Sequence, residues 1–461
     1  MRLAGETPVL RMKRILFITT CFPPTNATGI HRGVALVRHL AACGYEVMVL
    51  TMPPAPDMDS DAGLLSKIPA GVQVLRVPML DVTRTVKRWL GHRDACGPRD
   101  AGDPSSLRFV AARTPASRGA GWVDWCSAWL QFPDSRVGWC VKSLMTHRGA
   151  VRRFRPDVVY STAPMWSSHL LAMALRRTIR RPWVADCRDP WRANPFRVFR
   201  HRSHAWMDAN LEGMMVRRAS AVICNTPGVR RDFVTRYPRA ADKFVAIPNG
   251  FDASEVSEVR ASPRPANGHL RLVHAGVFYG TRSPAALLEA LAALAAEDAA
   301  ARNEVRLMQV GPADFEGRPL AELAGRFGVA DMLELTGPLS HRAALRAVYE
   351  GDVAVAVSQT GAHGDLQVPR KFYEYYGLGR RVLATGGCCG AIRELFDGVP
   401  PAGVRLIDEP TVPALTSALR ETLGQWRRGE LRDAAEATMD FSETRMTRDI
   451  ERTLETAANS Q

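Results

Sequence analysis

A chain of 461 residues that is 46% hydrophobic and 23% charged exceeds one ordinary domain and is too apolar for global disorder, so it suits two domains of roughly 200 residues each. Its 61 Lys and Arg against 47 Asp and Glu leave a net charge of +14. That balance favours anionic partners such as phosphates or an acidic membrane face, and without a nucleic-acid-binding signature beside it, no nucleic acid is expected.

The first apolar run, residues 15–18 (ILFI), is too short for a signal core or a membrane span and reads as a buried strand. No other run reaches 18 apolar residues. Strands are expected at 14–20, 46–51, 72–77, 157–162, 183–186, 221–225 and 244–248, then in a second series at 270–275, 305–310, 332–336, 353–358 and 381–385. These runs are continuously apolar and β-branched rather than alternating, as strands covered on both faces are. Helical periodicity lies between them, at 33–43 and 284–296 for example. Repeated strand–helix–strand units predict α/β architecture with two doubly wound parallel sheets.

The pattern breaks at 82–120, read as a mobile insertion, and at 253–268 (ASEVSEVRASPRPANG), whose polar, Pro- and Ala-rich composition fits a linker. The expected layout is an N-terminal domain over 13–252, that linker, a C-terminal domain over 269–440, and a closing helix and tail over 441–461. Two such domains facing a cleft would place ligands at the carboxyl ends of their strands. The Trp-rich stretch 121–139 reads either as a surface that touches membrane or acceptor, or as a helix packed on the core. Nine cysteines without CxxC or metal-like spacing, Cys388 and Cys389 adjacent among them, read as reduced thiols of a cytoplasmic protein.

Candidate ligand groups cluster after strands. The turn TTCFPPTNATGIHRG joins the first strand to a helix, and free N–H groups with a helix dipole suit an anion there. Gly29 would let backbone approach a ligand, and Arg32 would add charge. Asp186, Arg188 and Asp189 follow an apolar strand in DCRDPW and so sit at the edge where ligands bind; Trp191 would stack on a ring of the ligand or pack. His169 reads as a structural histidine on a helix.

The segments RILFITTCFPP, IPNGFD, LTGPLSH and PRKFYEYYGLGRRVLATG resemble those of retaining family-4 glycosyltransferases of the GT-B fold, within the glycogen-phosphorylase-like superfamily, over nearly the whole chain. DCRDPW resembles an element of a bacterial subgroup that builds surface polysaccharide. The resemblance implies an enzyme that moves a sugar from a nucleotide-sugar donor to a polysaccharide, lipid-linked or other glycoconjugate acceptor with retention at the anomeric carbon. It implies no cofactor and no metal, and a cytoplasmic location with at most peripheral contact with the inner membrane face.

It further implies roles residue by residue. Glu374 would bind the ribose hydroxyls, a task a carboxylate suits because it accepts from two donors. Arg282 and Lys371 would face the donor diphosphate and stabilise the charge left on it as the bond to the sugar breaks. Gly276, Tyr279, Gly337 and Leu339 would line the donor, and Asp186, Arg188, Asp189 and Trp191 the acceptor. Two departures mark a variant. The partner expected eight positions before Glu374 is Leu366, with Asp365 beside it, and Thr162 stands where the family has a His. A non-catalytic nucleotide-sugar binder is therefore the alternative. A 2-epimerase, which IPNGFD opposes, and a charge-driven nucleic-acid binder are more distant ones.

Overall fold

The computed structural model describes residues 13–25, 29–54, 61–80, 129, 132–194, 199, 202–265, 268–361, 363–434 and 438–460. The expected insertion at 82–120 lies outside them, as does most of the Trp-rich stretch. The chain forms two compact units: one within Met1–Asn225, Val229–Ile247 and Thr447–Gln461, the other within Thr226–Gly228 and Pro248–Met446.

The first unit is built on seven strands: β1 Arg14–Ile18, β2 Glu46–Thr51, β3 Gln73–Arg76, β4 Val158–Thr162, β5 Trp183–Cys187, β6 Ala221–Cys224 and β7 Phe244–Ala246. They pair in parallel in the order β3-β2-β1-β4-β5-β6-β7. The second unit holds β8 Leu270–Ala275, β9 Val305–Val310, a small antiparallel hairpin of β10 Asp314–Phe315 and β11 Arg318–Pro319, then β12 Leu333–Gly337, β13 Val353–Val357, β14 Arg381–Thr385 and β15 Val404–Ile407. Its parallel sheet runs β12-β9-β8-β13-β14-β15. Every residue of β4, β5 and β13 is buried, which is what a continuous apolar run requires of a strand covered by helices on both faces. Strand order reverses at β1/β4 in the first sheet and at β8/β13 in the second. Loops leaving those strands diverge and open a ligand crevice beyond the carboxyl ends.

Several expectations shift. Ala253–Arg260 is a helix and not a linker: Val256 and Val259, one turn apart, are buried in the core of the second unit. Its start is fixed by Asp252, whose carboxylate accepts from the N–H groups of Ser254 and Glu255 at 3.0 and 3.4 Å, so the Asp of IPNGFD is a helix cap. Phe251 packs against Gly377, where an added Cβ would come within 2.5 Å of its ring. The two most specific motifs of the sequence thus meet inside one unit. The first helix is Ile30–Ala42, beginning ahead of residue 33 because Ile30, Val34 and Val37 share one buried face. β15 went unforeseen because it is an edge strand whose four residues include Arg405 and stay mostly half-buried. The closing helix is Glu443–Asn459, and its residues from Thr447 onward belong to the first unit.

Candidate functional site

The reversal of the second sheet gathers the polar groups of greatest chemical interest. β8 ends at Ala275 and the chain turns through Gly276 and Tyr279 to Arg282; β13 ends at Val357 and leads through Gln359 and Gln367 to the helix Arg370–Gly377. The Arg282 guanidinium donates from Nε and Nη2 to Gln359 Oε1 at 2.9 and 2.6 Å. It also lies 4.9 Å from the centre of the Tyr279 ring, so two separate contacts fix its plane. The Gln359 amide in turn donates to Gln367 Oε1 at 2.8 Å.

Lys371 stands one residue into that helix with its Nζ 2.8 Å from His274 Nε2. Burial, then the nearby Arg282 charge, lowers its amine to about 7, against the opposing pull of Glu374. Burial and the charge of Lys371 hold His274 well below the usual imidazole range, so it is neutral. Arg282 and Lys371 act on each other as neighbouring cations, an arrangement that suits an anionic ligand.

The backbone around these cations is shaped by glycine. Gly276 and Gly311 follow β8 and β9 with φ of 135° and 128°, a region that side chains rarely tolerate. A Cβ on Gly311 would come 2.7 Å from the Gly276 carbonyl, and one on Gly276 3.0 Å from Lys371 Nζ. Gly311 also donates its N–H to the Gly337 carbonyl at the end of β12, at 3.0 Å. The three neighbouring strand ends thus present bare backbone. Beyond Gly337, Leu339 is exposed, and the following helix is capped by Ser340, which accepts from Ala343 N–H at 3.3 Å.

Glu374 sits in the second turn of its helix and is paired rather than open: Arg370 Nη2 lies at 2.9 Å and His341 Nε2 at 3.6 Å. The His341 contact joins the start of the helix His341–Glu350 to the Glu374 helix. The position of the expected partner, Leu366, is a buried apolar residue.

The first unit uses its expected site residues differently. Asp186 is fully buried, and Arg32 donates to it from Nε and Nη2 at 2.9 and 3.2 Å, with a further bond from Nη2 to the Ile247 carbonyl at 3.1 Å. Tyr160 and Thr162 donate to the same carboxylate. This corrects the expectations for both residues: Arg32 has no free edge for a phosphate, and Asp186 none for an acceptor. Arg188 donates to the carbonyls of Gly29 and Ala163, tying together the loops after β1 and β4. The close approach expected at Gly29 is therefore made by the chain's own guanidinium.

Trp191 is fully buried, stacked on Trp166 at 4.6 Å, and donates to Asp208 at 2.9 Å. A sugar ring cannot reach it, which corrects the acceptor-side expectation. Of the DCRDPW group, Arg188 and Asp189 are the half-buried members. His169, stacked beside Trp191 and lowered to about 3 chiefly by burial, is a neutral core residue. Trp139 at the end of the Trp-rich stretch is fully buried and donates to the Thr51 carbonyl at 3.3 Å.

His274, Gln309, His341, Gln359, Gln367 and Arg370 were not foreseen. The signal for Gln309 and His274 was present: each is a polar residue inside an apolar strand, where it must find a partner.

Among the described residues, no helix is long and apolar enough to cross a membrane, and seven cysteines carry free thiols. Also among them, His39, Cys43 and Glu451 of the first unit hold ligand-type atoms within 4.8 Å of one another.

Residues 28–250 match the glycosyl transferase 4-like domain. A D-inositol 3-phosphate glycosyltransferase from Geodermatophilus obscurus is 26% identical over 223 residues, 46% of this chain and 48% of the relative; the chain spans about half the length of that curated relative. Among solved structures, a glycosyltransferase from Rickettsia africae aligns over 98% of this chain and 100% of its own with a TM-score of 0.62 at 12% identity. HepE from Anabaena, solved with UDP and glucose, aligns over 97% and 100% with a TM-score of 0.61 at 15% identity. Two doubly wound parallel-sheet units and these likenesses together establish that the chain has the GT-B fold, and its residues 28–250 are similar to the glycosyl transferase 4-like domain.

Proposed function

We propose that the chain is a glycosyltransferase that moves a sugar from a nucleotide-sugar donor to a glycan or lipid-linked acceptor, with retention at the anomeric carbon. The observation that carries this reading is the pair of cations, Arg282 and Lys371, held by buried side chains over the bare backbone of Gly276 at the reversal of the second sheet. The donor diphosphate lies against that pair. Glu374 accepts from the ribose hydroxyls with what its pairing to Arg370 leaves available, and the base rests by Gly337 and Leu339.

In the reaction the bond from the anomeric carbon to the phosphate oxygen breaks, and its electron pair leaves on the diphosphate. Arg282 and Lys371 stabilise that charge as it grows, a contribution that removal of one such donor reduces by about 10²–10³ in rate. The acceptor hydroxyl oxygen forms the new bond on the same face, and its proton passes to the departing phosphate oxygen. The proposed route uses no cofactor and no metal. Arg188 and Asp189, half-buried just beyond the carboxyl end of β5, are the proposed acceptor-side residues, and the protein works in the cytoplasm, at most touching the inner membrane face.

A second reading, a nucleotide-sugar binder without turnover, draws support from the buried Leu366 in place of a carboxylate. One experiment separates them. A thermal-shift panel of UDP-, GDP-, ADP- and dTDP-sugars identifies the stabilising donor, and that donor is then followed for transfer or hydrolysis. Stabilisation that is lost in Glu374→Ala, with turnover, supports the transferase. Stabilisation without turnover across a broad acceptor set supports the binder.

A further inference from the structure

The group that holds Lys371 is His274, to which the proposed reaction gives no part. Gln309 Nε2 donates to the carbonyls of Gly276 and Pro312 at 2.7 and 3.2 Å, which fixes the amide with its oxygen turned the other way. That oxygen lies 2.7 Å from His274 Nδ1. A carbonyl oxygen accepts only, so Nδ1 carries the imidazole proton and Nε2 keeps its lone pair. Nε2 faces Lys371 Nζ at 2.8 Å and accepts from the ammonium.

Phe278 stacks on the imidazole at 4.0 Å and 15°, and His274 and Gln309 are each 1% exposed. The ring can neither turn nor readily take up a second proton. An unbroken series of hydrogen bonds therefore runs from the backbone after β8 and β9 to the amine of Lys371.

We infer that His274 is a positioning residue: locked by Gln309 in its Nδ1–H form, it aims the Lys371 amine at the Gly276 turn and favours the ammonium there, so that an arriving diphosphate draws a proton from solvent onto Lys371. The last step rests on the donor-site reading; the aiming of Lys371 does not. The charged and titratable groups facing the amine are His274 from β8, Arg282 from the loop after it, Glu374 from its own helix, and Cys388 from the helix Cys388–Leu395. Arg282 and burial oppose the ammonium, while Glu374 and Cys388 favour it. Among the described residues, His274 is the one group whose acceptor atom lies within hydrogen-bond distance of the amine, so the imidazole decides where the amine points. A nucleoside diphosphate supplies the missing negative charge, and Lys371 gains its proton as that ligand enters.

The chain has six lysines, so lysine labelled with ¹³C at the ε position gives a spectrum in which Lys371→Met assigns the Lys371 signal. The ligand-free protein is titrated first, then titrated again with UDP, GDP, ADP and dTDP. The Lys371 signal is expected to titrate near 7 rather than at the ordinary ~10.4, to move to lower pH in His274→Leu, and to return toward the wild-type value in His274→Gln, whose amide oxygen restores an acceptor.

Gln309→Leu leaves the imidazole in place but frees its tautomer. It is expected to give a smaller shift in the same direction, and it covers the case in which His274→Leu does not fold. With a sugar nucleotide that turns over, kcat/KM is expected to fall about tenfold per pH unit above the same break, and the break moves with the variants while kcat stays level. A Lys371 signal at the ordinary lysine value, or one that neither His274→Leu nor Gln309→Leu moves, overturns the inference. If the free-protein titrations behave as expected and none of the four nucleotides raises the Lys371 midpoint, the His274–Lys371 pairing stands and the diphosphate coupling is overturned, together with the donor-site reading.

Discussion

The guanidinium of Arg282 donates twice to one oxygen, Gln359 Oε1, at 2.9 and 2.6 Å, and that glutamine is itself 2% exposed. The arginine that meets the donor in the proposed reaction is thus aimed by a buried amide. Arg282→Ala is expected to lower kcat/KM by about 10²–10³. Arg282→Lys restores little, because an ammonium cannot reproduce the two-point contact. Gln359→Leu keeps the cation but loosens its aim, and is expected to lower kcat/KM by about tenfold with the fold intact. Steady-state kinetics beside a melting curve check all three.

Asp186 and Arg32 form a buried pair, with side chains 0% and 3% exposed. Asp186→Ala leaves the arginine without its counter-charge in the core and is expected to destabilise the protein by about 3–5 kcal/mol. The double variant Asp186→Leu with Arg32→Met is expected to recover much of that loss. Urea unfolding of Asp186→Ala, of the double variant and of its components Asp186→Leu and Arg32→Met gives the comparison, and a group used for ligand binding alone would not show this recovery.

Trp191 is a core residue in this account. Trp191→Ala is expected to cost about 3–5 kcal/mol of stability, and Trp191→Phe less, since Phe keeps the stack on Trp166 and loses the bond to Asp208. The acceptor KM of Trp191→Phe, measured below its melting temperature, is expected to match wild type.

Lys371 makes the stability of the protein depend on pH. Its folded-state value is about 7, lowered first by burial, whereas an unfolded lysine titrates near ~10.4. Between those values the unfolded chain binds more protons, so stability rises with pH across that window. At and below pH ~7 the folded protein carries the full cost of the buried charge, and by pH ~10.4 the cost has gone. Lys371→Met is expected to stabilise the ligand-free protein by on the order of 3 kcal/mol near neutral pH, after a discount for the partial solvent access of the amine. The gain shrinks toward zero at the upper end of the window. Urea unfolding at several pH values reads this slope directly, and the same variant loses activity.

The sheets were legible in the sequence because parallel strands are buried on both faces and announce themselves as uninterrupted apolar runs, as β4, β5 and β13 do. β15 lacked that signal, since an edge strand has only one covered flank and tolerates Arg405. The 253–268 segment misled because its composition is polar, while two valines one turn apart were enough to anchor a helix.

The site was half legible. Residue type and the resemblance named Arg282, Lys371 and Glu374, but the partners that aim the two cations, His274 and Gln309 on strands and Gln359 in the loop after β13, lie far apart in sequence, and no local pattern joins them. The same long-range pairing explains the misreadings in the first unit. Arg32 and Asp186 are each plausible ligand groups alone; that they satisfy one another across 154 positions becomes visible only when β5 is set beside the first helix.

The measurement that bears most directly on the central claim is titration calorimetry of sugar nucleotides bearing UDP, GDP, ADP and dTDP against the wild type and folded Arg282→Ala. The account predicts that at least one of them binds the wild type and that the same ligand binds Arg282→Ala about 100-fold more weakly, a difference of about 2.7 kcal/mol. Equal affinity for the two proteins, or no binding of any of the four by the wild type, would contradict it.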